Sequence, residues 1–339
     1  MKRIGLIGLG KMGMSHLAIA NQTPGLEVAA ICDASKALMR VLRKNTAFNC
    51  YTDYKKMIAE AHLDGVMILL PNAFHYEVAK YCIENGLHIF IEKPFTLSYE
   101  QSNELVELAR KQGVKGQVGY VNRFNWVFQQ VKDLLDKGVI GKVSNYNNRM
   151  TGGVVLNENS SGWRNDYSKG GGCLFDYGPH CFDLSTFFFG TDVTVRSAEL
   201  KRVYSTSVDD MVYATLSHDN EVVGMNFVNW SDGSVRKATN SIEIMGTKGK
   251  IVANKQEFSL YLNEANPSLN FNQGWNQIYV TDGSTDVPYY LRGEDFSRQL
   301  IEFSDLLNDR IQESCSSLLS GSVTDKIVRD IKNLNTTAI

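Results

Sequence analysis

Several things are scarce in this 339-residue chain, and each scarcity excludes a class of function. It has no excess of charge: 35 basic against 37 acidic residues leave a net charge of -2. With no dense Lys/Arg stripe either, no nucleic-acid partner is expected. The six cysteines (Cys32, Cys50, Cys82, Cys173, Cys181 and Cys315) include no C-x-x-C pair, which argues against a disulfide framework and a structural zinc site. No metal is expected, and a reducing, cytoplasmic setting fits best. No stretch approaches the roughly 18 to 20 continuous apolar residues of a membrane span. The opening MKRIGLIGLGKMG is cut by glycines and Lys11 before a signal-peptide core could form, so the chain reads as mature, with no membrane partner. Internal repeats and long low-complexity tracts are missing too.

What remains is ordinary globular composition at a length that suits two domains. Up to Tyr120 short apolar runs alternate with helical patterns. Arg3–Leu9 and LEVAAICD read as buried strands around a helix at Met12–Asn21, and GVMILLP and LHIFIEKP flank HYEVAKYCIENG, with Gly86 as its C-terminal cap. SYEQSNELVELARKQG opens with Ser98 and Gln101 in capping-box spacing and closes on Gly113 before the strand KGQVGYV. Such alternation predicts an α/β domain over residues 1–120 with a doubly wound parallel sheet. Beyond it, after a helix at NWVFQQVKDLLDKG, strand-like runs follow one another: TVRSAELKRVY, DDMVYATLS, EVVGMNFVNW and NSIEIMG, with HDNE as a hairpin turn. An α+β domain over 121–339 with an antiparallel sheet is predicted, closed by helices near 293–313 and 320–335.

Gly8-Leu9-Gly10-Lys11-Met12-Gly13 is G-x-G-x-x-G between a strand and a helix, the context in which glycines let a pyrophosphate approach the backbone and the helix N-terminus. Asp33 ends the next strand about 20 residues on, where an acidic side chain hydrogen-bonds the adenosine ribose. A turn-capping aspartate is the plainer alternative. NAD is predicted over NADP because Asp33 repels a 2'-phosphate, although Ser35, Lys36 and Arg40 lie nearby. Glu92-Lys93-Pro94 leaves the fifth apolar run at its carboxyl end, where open α/β sheets bind ligands. GGGCLFDYGPHCFD, residues 170–183, sets three glycines before Asp176, His180 and Asp183, a costly use of glycine that needs a reason.

GLIGLGKMG, LPNAFHYEVAKYCIENGLHIFIEKP, GYVNRF and GGGCLFDYGPHCFD, in this order, resemble the Gfo/Idh/MocA family, that of glucose-fructose oxidoreductase and inositol dehydrogenase. The resemblance covers essentially the whole chain. It implies an N-terminal Rossmann domain that binds the cofactor and a C-terminal domain with a large, mostly antiparallel sheet for substrate and oligomerisation. A Lys, Asp, His site acting on sugars or cyclitols without a metal is implied as well, here Lys93, Asp176 and His180. Glu92, Pro71, Asn72 and His75 match its cofactor side, with a surface residue that begins a helix as the plainer alternative for His75. Asn122 and Arg123 match the segment after the last Rossmann strand, where Arg123 meets substrate or forms a domain-bridging ion pair. Trp163 and Arg164 are candidate walls of the substrate pocket, and residues 157–162 a variable loop beside it. One departure is that Asn125 and Trp126 stand where many relatives carry proline.

In this reading the glycine run lets backbone pass close to nicotinamide and substrate. His180, whose ordinary pKa lies near neutrality, serves as general base, oriented by Asp176, while Lys93 favours the developing alkoxide. The plainer alternatives for His180 are a satisfied buried histidine or a zinc ligand with Cys173 and Cys181. The function expected is NAD-dependent oxidation of a secondary hydroxyl on a sugar, cyclitol or nucleotide-linked sugar. The rivals are an NAD-recycling glycoside-cleaving enzyme and a non-catalytic NAD-sensing regulator. A homodimer or homotetramer is expected by resemblance.

Overall fold

The computed structural model describes residues 1–158, 162–283 and 286–336. The chain divides into two compact units, Met1–Val121 with Asp286–Ser322, and Asn122–Thr285 with Val323–Ile339.

The first unit alternates as its periodicity requires: β1 (Lys2–Ile7), α1 (Lys11–Ala20), β2 (Leu26–Cys32), α2 (Lys36–Asn45), β3 (Asn49–Tyr51), α3 (Tyr54–Glu60), β4 (Gly65–Ile68), α4 (His75–Glu84), β5 (His88–Ile91), α5 (Tyr99–Gln112) and β6 (Gly116–Val118). The strands lie in the order β3-β2-β1-β4-β5-β6, all parallel. Strand order reverses between β1 and β4, so their carboxyl ends form the crevice where such sheets take ligands. Gly86 and Gly113 end α4 and α5 in left-handed conformation, as their positions predict. The Ser98 box does not form. Ser98 Oγ donates to Glu100 Oε2 at 2.6 Å instead, because an acid two residues on competes for the hydroxyl.

The second unit contains α6 (Trp126–Asp136), β7 (Val143–Thr151), α7 (Cys173–Asp176), α8 (Gly178–Phe189), β8 (Val193–Lys201), β9 (Met211–His218), β10 (Val223–Asn229), β11 (Thr239–Gly246), β12 (Gly249–Asn254), β13 (Glu257–Leu262) and β14 (Gly274–Tyr279). Its eight-stranded sheet runs β14-β13-β12-β11-β7-β10-β9-β8. Every pair is antiparallel except β7 with β10. Alternate side chains form one buried face against α6 and α8, with Phe128, Val131, Leu184, Phe188, Ile244 and Leu260 in its core. Asn125, one of the two residues standing in place of proline, caps α6 by accepting from Phe128 N. On β7, Asn148 is fully buried, and its Nδ2 donates to Cys181 O at 2.7 Å and Ser185 Oγ at 2.9 Å. These bonds fix α8 along the sheet.

Arg123 and Asp183 are 4% and 1% exposed. The guanidinium Nε lies 3.0 Å from both carboxylate oxygens, Nη2 2.8 Å from Oδ1, and Nη2 also donates to Thr186 Oγ1 at 3.1 Å. Both residues belong to the second unit, so this pair ties the start of the unit to α8.

Two helices close the chain, α9 (Glu294–Leu307) and α10 (Leu318–Thr336). The sequence assigns everything after residue 120 to a second domain, whereas Asp286–Ser322 belongs to the first unit. A parallel sheet needs cover on both faces. Leu300, Phe303, Leu306 and Leu307 of α9 pack with Leu6, Leu17, Met67 and Phe90, and Ser304 Oγ donates to Pro24 O at 2.6 Å. Each such apolar side chain contributes about 1.5–3 kcal/mol on burial, enough to bring a distant helix back.

Asp183→Ala should cost about 3–5 kcal/mol in urea unfolding because it takes the carboxylate away from a buried guanidinium. The double variant Arg123→Met/Asp183→Leu should recover most of that loss.

Candidate active site

In the first unit the phosphate loop is shaped by backbone crowding. Gly8 has φ +96°, and a Cβ there would lie 2.6 Å from Leu69 O, while a Cβ at Gly13 would lie 2.0 Å from Gly8 O. At Gly10 a Cβ would meet nothing within 4 Å. The tight glycines close the turn, and Gly10 leaves open space over the start of α1, where no side chain caps the helix. Lys11 is exposed and Met12 half-buried on the first turn. Half-buried at the end of β2, Asp33 accepts from Leu9 N (Oδ2, 2.8 Å) and Ser35 N (Oδ1, 2.8 Å), which braces the loop and keeps its carboxylate beside it. A carboxylate oxygen accepts more than one hydrogen bond, so a ribose hydroxyl fits there as well. These residues suit a dinucleotide.

Pro71 and Asn72 sit exposed and half-buried on the loop after β4. His75, the third residue of that loop the sequence singled out, points into the interior. It is fully buried, with Nδ1 2.9 Å from Pro94 O and Nε2 3.0 Å from Leu70 O. Burial pushes its pKa below the ordinary value against the opposing effect of those carbonyls. A neutral imidazole carries one N–H, so His75 donates to one of these two carbonyls and packs against the other, between the loops that follow β4 and β5.

Glu92 and Lys93 follow β5, both half-buried. Glu92 Oε2 accepts from Lys93 N at 3.2 Å, and Oε1 accepts from Nε2 of His16 at 2.7 Å. Burial alone would raise the Glu92 pKa, but bonding and charge from His16, together with Lys93, hold it below the usual glutamate value. His16 was not a sequence candidate. Its only signal is a polar residue at a position of α1 where the helix is otherwise apolar.

In the second unit the glycine run makes room for the chain itself. A Cβ at Gly171 would lie 2.4 Å from Arg164 O and 2.6 Å from Trp163 O, and one at Gly172 (φ +96°) 2.6 Å from Asp209 Oδ1. The nearest protein neighbours at Gly171 and Gly172 are therefore the Trp163–Arg164 backbone and Asp209. Packing of this kind sets the local geometry. Arg164 Nε donates to Asp176 Oδ2 at 3.0 Å, and its guanidinium lies 4.5 Å from the Trp163 ring centroid. Asp176 ends α7 and is 8% exposed; His180 lies in the first turn of α8, half-buried. Asp209, which the sequence did not single out, accepts from Leu174 N at 2.7 Å and Tyr167 OH at 2.6 Å and so anchors α7. Burial pushes its pKa up to about 6 despite those bonds, with neighbouring Asp210 adding to the rise.

Two further candidates lie in the interior. The ion pair of Arg123 is with Asp183, inside the second unit. Asn122 is 5% exposed, and its Nδ2 donates to Asn240 Oδ1 at 2.9 Å, so it too serves the interior. Of the loop at 157–162, residues 159–161 lie outside the described residues. Cys173 and Cys181 are fully buried, and burial pushes both thiols well above the ordinary value, as suits packing residues. Among the described residues no group of three or more His, Cys, Asp or Glu side chains is placed to hold a metal, and no helix is long and apolar enough to cross a membrane.

Known proteins agree with this layout. Residues 2–120 match the family described as "Oxidoreductase family, NAD-binding Rossmann fold", and residues 128–252 match the "GFO/IDH/MocA C-terminal domain". The fold and phosphate loop define an oxidoreductase with NAD as its cofactor. The chain belongs to the Gfo/Idh/MocA family of NAD-binding sugar and cyclitol oxidoreductases. It is 26% identical to myo-inositol 2-dehydrogenase of Thermotoga maritima, over 77% of this chain and 78% of that one. It is 24% identical to scyllo-inositol 2-dehydrogenase (NAD(+)) of Bacillus subtilis, over 74% and 72%. Its fold matches levoglucosan dehydrogenase in complex with NADH, with a TM-score of 0.88 at 22% identity, covering 99% of this chain and 97% of that one.

Because Asp209 is raised in the folded protein, its contribution to stability is present below the unfolded carboxylate pKa and is lost as pH rises through about 6. Between pH 4.5 and 7.5 the native protein should therefore lose about 2 kcal/mol that Asp209→Asn does not lose, read from urea unfolding at both pH values.

Proposed function

We propose that this protein oxidises a secondary hydroxyl of a sugar, cyclitol or nucleotide-linked sugar, with Lys93, Asp176 and His180 as its catalytic residues. The observation that carries the proposal lies in the first unit: one parallel sheet offers an open phosphate loop after β1, a braced Asp33 after β2 and an anchored Lys93 after β5. When bound, NAD supplies the acceptor for the hydrogen leaving carbon. The protein has to bind the polyol, take the hydroxyl proton and stabilise the negative charge that develops on oxygen.

Lys93 hydrogen-bonds that oxygen through its ammonium. His180 Nε2 or Nδ1 takes the proton as general base, which typically contributes about 10² to 10⁴ in rate. Asp176, kept in place by Arg164, orients the base and stabilises it once protonated. Trp163 and Arg164 stack beside this carboxylate, where a ring face and a guanidinium fork suit a polyhydroxylated ring. Asp33, aimed at the ribose, disfavours a 2'-phosphate and so prefers NAD to NADP. The second face of the eight-stranded sheet leaves Tyr213, Met225, Trp275 and Tyr279 exposed, which supports self-association as a dimer or tetramer.

A panel of sugars, inositols and nucleotide sugars should include one that yields reduced cofactor from free NAD, followed by absorbance. Glycoside cleavage without net reduction would replace the dehydrogenase reading with a cofactor-recycling one. Lys93→Ala and His180→Ala should each lower turnover by about 10² or more while NAD affinity, measured by fluorescence titration, stays within about three-fold. Asp33→Asn keeps an acceptor for Leu9 N and should relax the preference for NAD over NADP by about ten-fold or more, measured as the ratio of kcat/KM values.

A further inference from the structure

We infer that His16 is a positioning residue for Lys93, acting through the carboxylate of Glu92. The inference rests on the proposed role of Lys93. His16 lies on α1, three residues beyond the last glycine of the phosphate loop, and is 0% exposed. Its ring sits against Phe90 and Phe296, with centroids 5.3 and 6.0 Å away. An imidazole in such surroundings is costly to bury unless it is hydrogen-bonded. Its one hydrogen bond runs from Nε2 to Glu92 Oε1 at 2.7 Å, and among the described residues nothing reaches Nδ1. Among the described residues, Glu92 is thus the polar partner of this histidine.

The other oxygen of Glu92 accepts the backbone N–H of Lys93 at 3.2 Å. Room for the carboxylate comes from Gly119, just after β6, where a Cβ would lie 3.2 Å from the carboxylate atoms. Three elements thus meet at one carboxylate: α1, whose first turn borders the dinucleotide loop, and the ends of β5 and β6. Two hydrogen bonds in series connect the helix behind the phosphate loop to the backbone of Lys93. Lysine reaches its target on a flexible four-carbon stem, so its aim depends on where the backbone is fixed and on charge close by. A misplacement of about 1 Å can cost about 10²-fold in rate.

The test compares His16→Leu, His16→Gln, Glu92→Gln and the double variant His16→Leu/Glu92→Gln in the full-length protein. Glutamine at 16 can present an N–H where the imidazole Nε2 lies. Two readouts are taken: steady-state kinetics with NAD and the panel substrate, and the ¹³C resonance of Lys93 after reductive methylation, assigned by its loss in Lys93→Arg. We expect His16→Leu and Glu92→Gln each to lower kcat about 10- to 100-fold, with KM and the NAD dissociation constant within about three-fold. His16→Gln should recover most of kcat, the double variant should be no worse than either single one, and the Lys93 resonance should move in His16→Leu and return in His16→Gln. If His16→Gln is as impaired as His16→Leu, or the Lys93 resonance does not move in His16→Leu, the proposal fails. A loss of NAD affinity matching the loss of turnover would overturn it too, assigning His16 to the phosphate loop. Should His16→Leu not fold, the resonance in Glu92→Gln and in His16→Gln decides. If no panel compound is oxidised by the native protein the dehydrogenase reading fails, and the resonance still decides the role of His16.

Discussion

Where β1 hands over to α1, the backbone crosses itself so closely that a side chain at Gly13 would begin 2.0 Å from the carbonyl oxygen of Gly8. This crossing fixes the direction of the first helix, and much of the first unit depends on that direction. It aims the uncapped helix start at the crevice between β1 and β4, and it turns His16 inward toward Glu92. Asp33 secures the same loop from the next strand through Leu9 N. Binding chemistry and the interior of the sheet therefore share their supports, and residues that serve the one cannot be varied without touching the other.

The second unit solves a similar problem with different means. Its short α7 is held at the start by Asp209 and backed by glycines that admit the Trp163–Arg164 backbone. The longer α8 is fixed along the sheet by asparagine and serine, and by the buried Arg123–Asp183 pair. Apolar packing alone tolerates sliding of a helix over a sheet, whereas each of these polar bonds exists in one register only. That rigidity matters because Asp176 and His180 lie on these two helices.

How much of this could be read from the sequence depended on whether the signal was local. The parallel alternation of the first 120 residues, the caps at Gly86 and Gly113, the G-x-G-x-x-G turn and the hairpin after His218 are set by neighbours in the chain, and the structure has all of them. What escaped were partnerships across long separations. β7 carries three asparagines, a residue type depleted in strands, yet it is a central strand because Asn148 bonds α8. β14, with none of its side chains fully buried, resembles loop by composition. Arg123 and His75 are polar residues in plausible places for ligands, and nothing near them in the chain announces their buried partners, 60 and 19 residues away. His16 and Asp209 went unremarked for the mirror-image reason. Nothing beside them in the chain indicates what they hold, since Glu92 lies 76 residues from the first and Leu174 35 residues from the second.

The return of α9 to the first unit has a bearing on how the molecule is made. A ribosome delivers β1 to β6 long before Leu300, Phe303 and Leu306 emerge, so one flank of the nascent parallel sheet, including Leu6, Met67 and Phe90, has to wait for its cover while the entire eight-stranded sheet is synthesised. Biogenesis of this enzyme therefore includes an interval with an open greasy flank, in which chaperone capture competes with aggregation, and a fragment ending near residue 120 would never leave that condition.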